Sequence, residues 1–179
     1  LHKKSLCDYV INVATGCKHG CEFCYVPTTP AIDNREEMLN EQADVEDGQD
    51  EWGSYLLYRD DLPERLGDVL ENTDDWKTTD RGRGAVMLSS GTDCYQDRRA
   101  AQITQGCIHE LVTHEIPVRV LTRSPAVVRD RDLFRRAGDL VTVGSSIPSL
   151  DNELVSSMEP NAPPPMARWE ALDELQKAG

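Results

Sequence analysis

The stretch YVINVATGCKHGCEFCYVPTTP, residues 9–30, decides how this chain is read. Residues 9–14 form a short β-branched run, the signature of a strand. The run passes directly into a loop of Gly, Cys and Pro, in which Cys17, Cys21 and Cys24 follow a C-x3-C-x2-C spacing. Three thiolates this close on a flexible loop can hold three irons of a [4Fe–4S] cube. The fourth iron then has no ligand from the loop and is open to an exogenous chelator. His19 and Gly20 permit a tight turn between the first two thiols, and Phe23 shields the third. The competing reading is a structural zinc site of Cys3His type, completed by His19 or a distant residue. Structural zinc usually takes two separated C-x2-C pairs, and no second pair is present, so the cluster is the preferred reading.

Outward from this loop the chain alternates. Residues 85–90 (AVMLSS) read as a buried strand ended by the Gly91-Thr92-Asp93 turn. Ile103, Cys107, Ile108, Leu111 and Val112 make a helical stripe. Residues 116–123 form the next strand, 129–137 a helix, 139–147 a further strand, and 163–178 a helix whose first turn is crowded with proline. Strand–helix alternation implies a parallel sheet with chemistry collected at the carboxyl ends of the strands. Those ends are residues 15–25, 89–93, 122–124 and 144–146, all rich in small polar side chains. Between the cysteine loop (15–30) and the βα units (85–179) lies a polar, acidic stretch, about residues 33–80. It reads as an insertion, with helices at 35–43 and 62–70 and an amphipathic SYLLYR segment. Leu1 is not a start methionine and the chain closes on a helical run, so the expectation is a longer protein truncated at its carboxyl side.

Composition bounds the partners. The 179 residues give room for one domain and carry a net charge of −13. Such a surface repels phosphate backbones, and no basic stripe or aromatic array (Trp52, Trp76 and Trp169 are scattered) suggests a nucleic-acid binder. The 14 Arg against 5 Lys, and 18 Asp against 14 Glu, instead favour a halophilic protein from a salt-rich cytoplasm. No apolar run approaches the ~20 residues that span a bilayer, and the first residues lack a secretory h-region. Six cysteines without a secretory signal point to a cytoplasmic metal or redox role rather than disulfides.

The cysteine motif with Tyr25 after it, on the loop following the first strand, resembles the radical S-adenosylmethionine superfamily. The wider chain is similar to its spore-photoproduct-lyase-like, "DNA repair photolyase" branch. The residues that carry this likeness are Gly16–Tyr25, Gly91-Thr92-Asp93-Cys94-Tyr95-Gln96, Thr122-Arg123-Ser124, and Glu159-Pro160-Asn161-Ala162-Pro163 with Arg168. The resemblance implies an α/β fold, a partial (β/α)6 TIM-like barrel. It implies an enzyme, lyase or transferase, that cleaves S-adenosylmethionine reductively to start radical chemistry. Cys17, Cys21 and Cys24 would ligate the [4Fe–4S] cluster. Ser90, Gly91, Thr92 and Asp93 would lie along the cofactor's methionyl amine, though the usual Gly-Gly-Glu form of that segment is absent. Arg123 would pair with its carboxylate, Ser145 or Ser146 with ribose or carboxylate, and Tyr25 would pack on adenine. A low-potential donor such as ferredoxin or flavodoxin would supply electrons.

Each role has a plainer alternative. Arg123 can be a solvated strand-end charge, Asp93 an Asx turn, Ser145 and Ser146 local backbone partners, and Glu159 with Arg168 a structural ion pair. Cys94, just past the second strand, is a candidate hydrogen donor to a substrate radical, with Tyr95 as a redox-capable neighbour; a buried idle thiol is the alternative. Cys107 reads as core. The substrate stays open: DNA lesion repair is the branch analogy, and a non-catalytic iron–sulfur carrier or sensor is the reading from another class.

Overall fold

The computed structural model describes residues 2–4, 7–80 and 82–179. In chain order the elements are β1 (His2–Lys4), β2 (Cys7–Ile11), β3 (Ala14–Thr15), α1 (Pro30–Asp33), α2 (Glu36–Ala43), β4 (Leu57–Tyr58) and α3 (Leu62–Glu71). There follow β5 (Thr78–Thr79), β6 (Gly82–Arg83), β7 (Val86–Leu88), α4 (Arg98–Thr113), β8 (Val118–Thr122), α5 (Arg131–Ala137), β9 (Val141–Ser145), α6 (Asn152–Met158) and α7 (Pro165–Ala178). The main sheet has the order β1-β2-β7-β8-β9; β1 is antiparallel to β2, and the other four strands are parallel.

Register explains why one face is covered and the other is not. Tyr9, Val86, Val118 and Val141 stand side by side, as do Ile11, Leu88, Val120 and Val143. These rows belong to or pack on the main core, with Ile103, Cys107, Ile108 and Leu111 of α4 and Leu66 and Leu70 of α3. Each fully buried Val or Leu here contributes roughly 1.5–3 kcal/mol. The alternate row, Val10, Met87, Arg119 and Thr142, points to the opposite face, where Arg119 and Thr142 are exposed. Sequentially adjacent parallel strands with helices on one face form an arc of a TIM-like barrel, the expected class.

α4 starts where Asp97 accepts the Ala100 N–H at 2.9 Å, an N-cap bond. It lies close against α3: a Cβ at Gly106 would stand 2.8 Å from Pro63 Cγ. The acidic stretch therefore ends in a helix of the main core. Its earlier part builds a satellite core of Val26, Ile32, Leu39, Val45 and Tyr55, with Cys24 and Trp52 packed on it. This small core backs the cysteine loop.

The first strand was expected over residues 9–14, but its main-sheet part ends at Ile11. Asn12 turns out of the ladder, because its Oδ1 accepts the Ser90 and Gly91 N–H groups and its carbonyl accepts from Arg59 Nη1. Ala14 and Thr15 pair antiparallel with Tyr58 and Leu57 instead.

Candidate active site

The loop after β3 turns at Gly16, whose φ is +92° and whose Cβ, if it had one, would meet Tyr55 O at 2.2 Å. Only glycine lets the chain pass there. From that turn the loop is tied down on every side. Gly16 O accepts from Thr92 Oγ1 at 2.6 Å, Lys18 N donates to Gln96 Oε1 at 2.7 Å, Glu22 N donates to Met158 O at 2.9 Å, and Asn161 N donates to His19 O at 3.3 Å.

The strongest tie is His19 to Asp93. Nε2 and Oδ2 are 3.0 Å apart, with both side chains 4% exposed. Asp93 also accepts from Tyr95 N, Thr122 Oγ1 and Arg123 N at 2.8, 2.6 and 2.6 Å. Burial pushes its pKa up, but these donors and His19 overcome that and hold it below the ordinary value of 3.8. Asp93 does form the Asx turn, and it also joins the cysteine loop to the ends of β7 and β8. His19→Ala is expected to cost about 1–3 kcal/mol of stability, because it removes one donor from a buried carboxylate. Urea unfolding measures this; a variant as stable as wild type would show the tie to be idle.

Cys17, Cys21 and Cys24 line one cavity of about 300 Å³. Its walls also include Phe23, Tyr25, Trp52, Met87 and Leu121, the run Ser89–Asp93, and Arg123 and Ser146. Seven of the eight residues expected to contact the cofactor are thus gathered around the three thiols. The eighth, Ser145, lies outside that lining and donates to Thr122 O at 2.9 Å. Tyr25 reaches Ser90 O with its hydroxyl at 3.1 Å while its ring stays at the rim. Arg123 Nε donates to Glu159 Oε1 at 2.8 Å, and its guanidinium stands 5.8 Å from the Phe23 ring centroid. Cys94 is not brought to the cavity. It is fully buried, and its thiol faces Leu88 O at 3.5 Å and Leu121 O at 3.8 Å. Burial pushes that thiol well above its ordinary pKa. Tyr95 is equally buried and donates to Asp130 at 2.8 Å.

Glu159 and Arg168 form the structural ion pair weighed from the sequence. Nη1 and Oε2 are 2.6 Å apart and both side chains are at 0% exposure. This is a contact of charges rather than an aligned hydrogen bond, since Oε2 has no hydrogen-bond partner and Nη1 donates to Ser146 O at 2.9 Å. Met87, Leu121 and Trp52 were not singled out as cavity residues. Strand alternation could have found the first two, which share the concave face; Trp52 arrives from the satellite core.

The donor set fits an iron–sulfur cube. Burial pushes Cys17 up to about 12 and raises Cys21, with Arg123 opposing at Cys21. Thiols so placed become thiolates only against a strong positive charge such as bound metal. Among the described residues no three Cys, His, Asp or Glu close around a single ion. A cube needs its thiolates on separate irons, which a zinc site does not. Ser89 Oγ and Trp52 Nε1 are buried without a protein partner in the same lining, which suits a polar ligand beside the thiols.

The family model of the Radical SAM superfamily matches residues 11–179, and the chain belongs to that superfamily. An uncharacterized protein of Acidianus two-tailed virus is 32% identical over 178 residues, covering 98% of this chain and 54% of that protein. An uncharacterized protein of Methanocaldococcus jannaschii is 26% identical over 172 residues, 96% of this chain and 56% of that one. The chain thus spans about half the length of these curated relatives. Two solved variants of spore photoproduct lyase share the fold with TM-scores of 0.67 and 0.66, each at 18% identity and each covering 98% of this chain and 44% of theirs. The second of these is described with bound AdoMet and dinucleoside spore photoproduct.

Proposed function

We propose that the chain is the cluster- and cofactor-binding core of a radical S-adenosylmethionine enzyme. The observation that carries this is the gathering of Cys17, Cys21 and Cys24 with Ser90–Asp93 and Arg123 around one cavity. When bound, the [4Fe–4S] cluster supplies the electron that cleaves the cofactor's S–C5′ bond, giving methionine and a 5′-deoxyadenosyl radical. The three thiolates hold the cluster. Arg123 offers guanidinium donors beyond its Nε to the methionyl carboxylate. Ser90, Gly91 and Thr92 lie along the amine, Ser146 serves ribose or carboxylate, and Tyr25 and Trp52 give aromatic surface to adenine. Phe23, Met87 and Leu121 give the cavity its apolar lining.

The remaining cysteines favour an open iron over a closed electron carrier. Cys94 and Cys107 are packed in the main core and Cys7 lies in β2. The test is anaerobic reconstitution with S-adenosylmethionine and dithionite. Methionine and 5′-deoxyadenosine in equal amounts support the enzyme, and a reducible cluster that never cleaves the cofactor supports the carrier. Ferredoxin or flavodoxin is the fitting physiological donor. Lesion repair rests on likeness to spore photoproduct lyase.

Among the described residues no helix is long and apolar enough to cross a membrane. Six cysteines, three of them on one loop, suit a reducing cytoplasm. The acidic, arginine-rich composition suits high salt, so the melting temperature should rise as KCl approaches molar concentration; a fall would remove that reading.

A further inference from the structure

A second cavity, of about 240 Å³, lies on the other side of Asn12 and is lined by Arg35, Arg59 and Arg65 together with Leu62 and Leu66. We propose that it binds the phosphate group of an organic phosphate ester. In a chain of net charge −13, the convergence of three arginines on one cavity is the feature that needs explaining. Arg59 is half-buried. Its Nη1 donates to Asn12 O at 2.8 Å and its Nη2 to Thr15 Oγ1 at 2.7 Å, both neutral acceptors. The charges felt at Arg59 are those of Arg35 and Arg65, which oppose its own, and of Asp61. Asp61 is shared with Arg65 at 3.5 Å in an exposed i,i+4 pair, which is weak. Arg35 donates to Ala31 O. Among the described residues neither Arg35 nor Arg59 has a carboxylate partner at ion-pair distance.

A half-buried cation without an anion keeps part of its desolvation cost, and a bound anion relieves it. The planar donors of arginine match phosphate oxygens. The first turn of the ten-residue helix α3 borders the same space, and its N-cap, Asp61, makes no side-chain capping bond. Leu62, Leu66 and Val69 give the cavity an apolar wall, which suits an ester carrying an organic group rather than a bare ion.

Asn12 links the two cavities. Its carbonyl is held by Arg59, while its Oδ1 holds Ser90 N at 2.9 Å and Gly91 N at 2.8 Å on the thiol-lined side. A phosphate on the arginines therefore sits one residue away from the wall of the candidate active site. It can belong to a mononucleotide-sized ligand or to a nucleic-acid backbone. The proposal does not rest on the radical reading, because its readout is binding.

The test is calorimetry on the full-length protein, purified anaerobically with its cluster, at low ionic strength. The probes are a nucleoside monophosphate, a short single-stranded oligonucleotide, inorganic phosphate and sulfate. The nucleoside monophosphate is expected to bind, more weakly as salt rises, and at least about tenfold more weakly in Arg35→Gln/Arg65→Gln, with iron content unchanged. Tighter binding of the oligonucleotide, lost in the same variant, assigns the phosphate to a backbone; binding of the mononucleotide alone assigns it to a small molecule. Should the double variant fail to fold, Arg65→Glu at an exposed position carries the same expectation. The proposal is overturned if no phosphate probe binds at about millimolar concentration, if binding ignores these substitutions, or if sulfate competes equally with the ester.

Discussion

Cys21→Ala is expected to purify without its brown chromophore, with little iron, and with no measurable 5′-deoxyadenosine formation. The loop can offer three thiols to a cube, and among the described residues the cavity brings no other cysteine near them. Removing one leaves two irons exposed, and a cluster held at two corners does not survive purification. Because the three ligands act as a unit, Cys17→Ala and Cys24→Ala should be as severe, and combining them should add nothing. The control is Cys107→Ala. It deletes a fully buried thiol from α4 at a cost of about 1 kcal/mol and leaves iron bound. Cys94→Ala should also keep its iron and its rate of cofactor cleavage, because its thiol points at the Leu88 and Leu121 carbonyls. A changed product in that variant would restore the hydrogen-donor role. Full iron content in Cys21→Ala, or zinc in the wild-type protein, would sink the reading of the site.

The parts of the fold that could be read in advance are those whose physics is local. β7 is a short apolar run, β8 and β9 are rich in β-branched residues, and the stripe from Ile103 to Val112 lies on one side of α4, so strand and helix were visible as local pattern. The thiol spacing was visible because chelation by a loop is itself local. What escaped depends on distant partners. α6 has only Val155 buried, and its N-cap, Asp151, gives little warning in NELVSSM. The departure of Asn12 from β2 depends on Ser90, Gly91 and Arg59, which lie 47 or more residues away. Asp93 could be read as an Asx turn from Tyr95 alone, but its bonds to His19, Thr122 and Arg123 become visible only in three dimensions. The acidic stretch showed no strong period, because its work is divided between a small core under the cysteine loop and the helix that packs on α4.

Glu159→Gln should produce the largest loss of stability from a single isosteric change. The Glu159 carboxylate has 0% exposure and lies between two guanidiniums, with Arg123 Nε at 2.8 Å and Arg168 Nη1 at 2.6 Å. Arg168 is itself fully buried and reaches Pro163 O and Ser146 O. One carboxylate thus joins the end of β8, the residue after β9 and the turn that leads into α7. The same turn holds the cysteine loop through Met158 O and Asn161 N. Glutamine keeps the shape, but its amide can accept from one arginine only by turning N–H donors toward the other. The fully buried Arg168 and the part-exposed Arg123 then lack a counter-charge, which costs about 3 kcal/mol. For a domain of this size that is a fall of roughly 10 °C in melting temperature. A second readout separates charge from packing. Arg123, Glu159 and Arg168 all act on Cys21, the arginines lowering its pKa and the glutamate raising it. Deleting the negative charge should therefore favour the more negative, reduced state of a cluster bound there and move its potential upward, while Arg123→Gln should move it downward. A Glu159→Gln protein that melts with wild type and keeps its potential would mean that this triad neither braces the site nor sets its field.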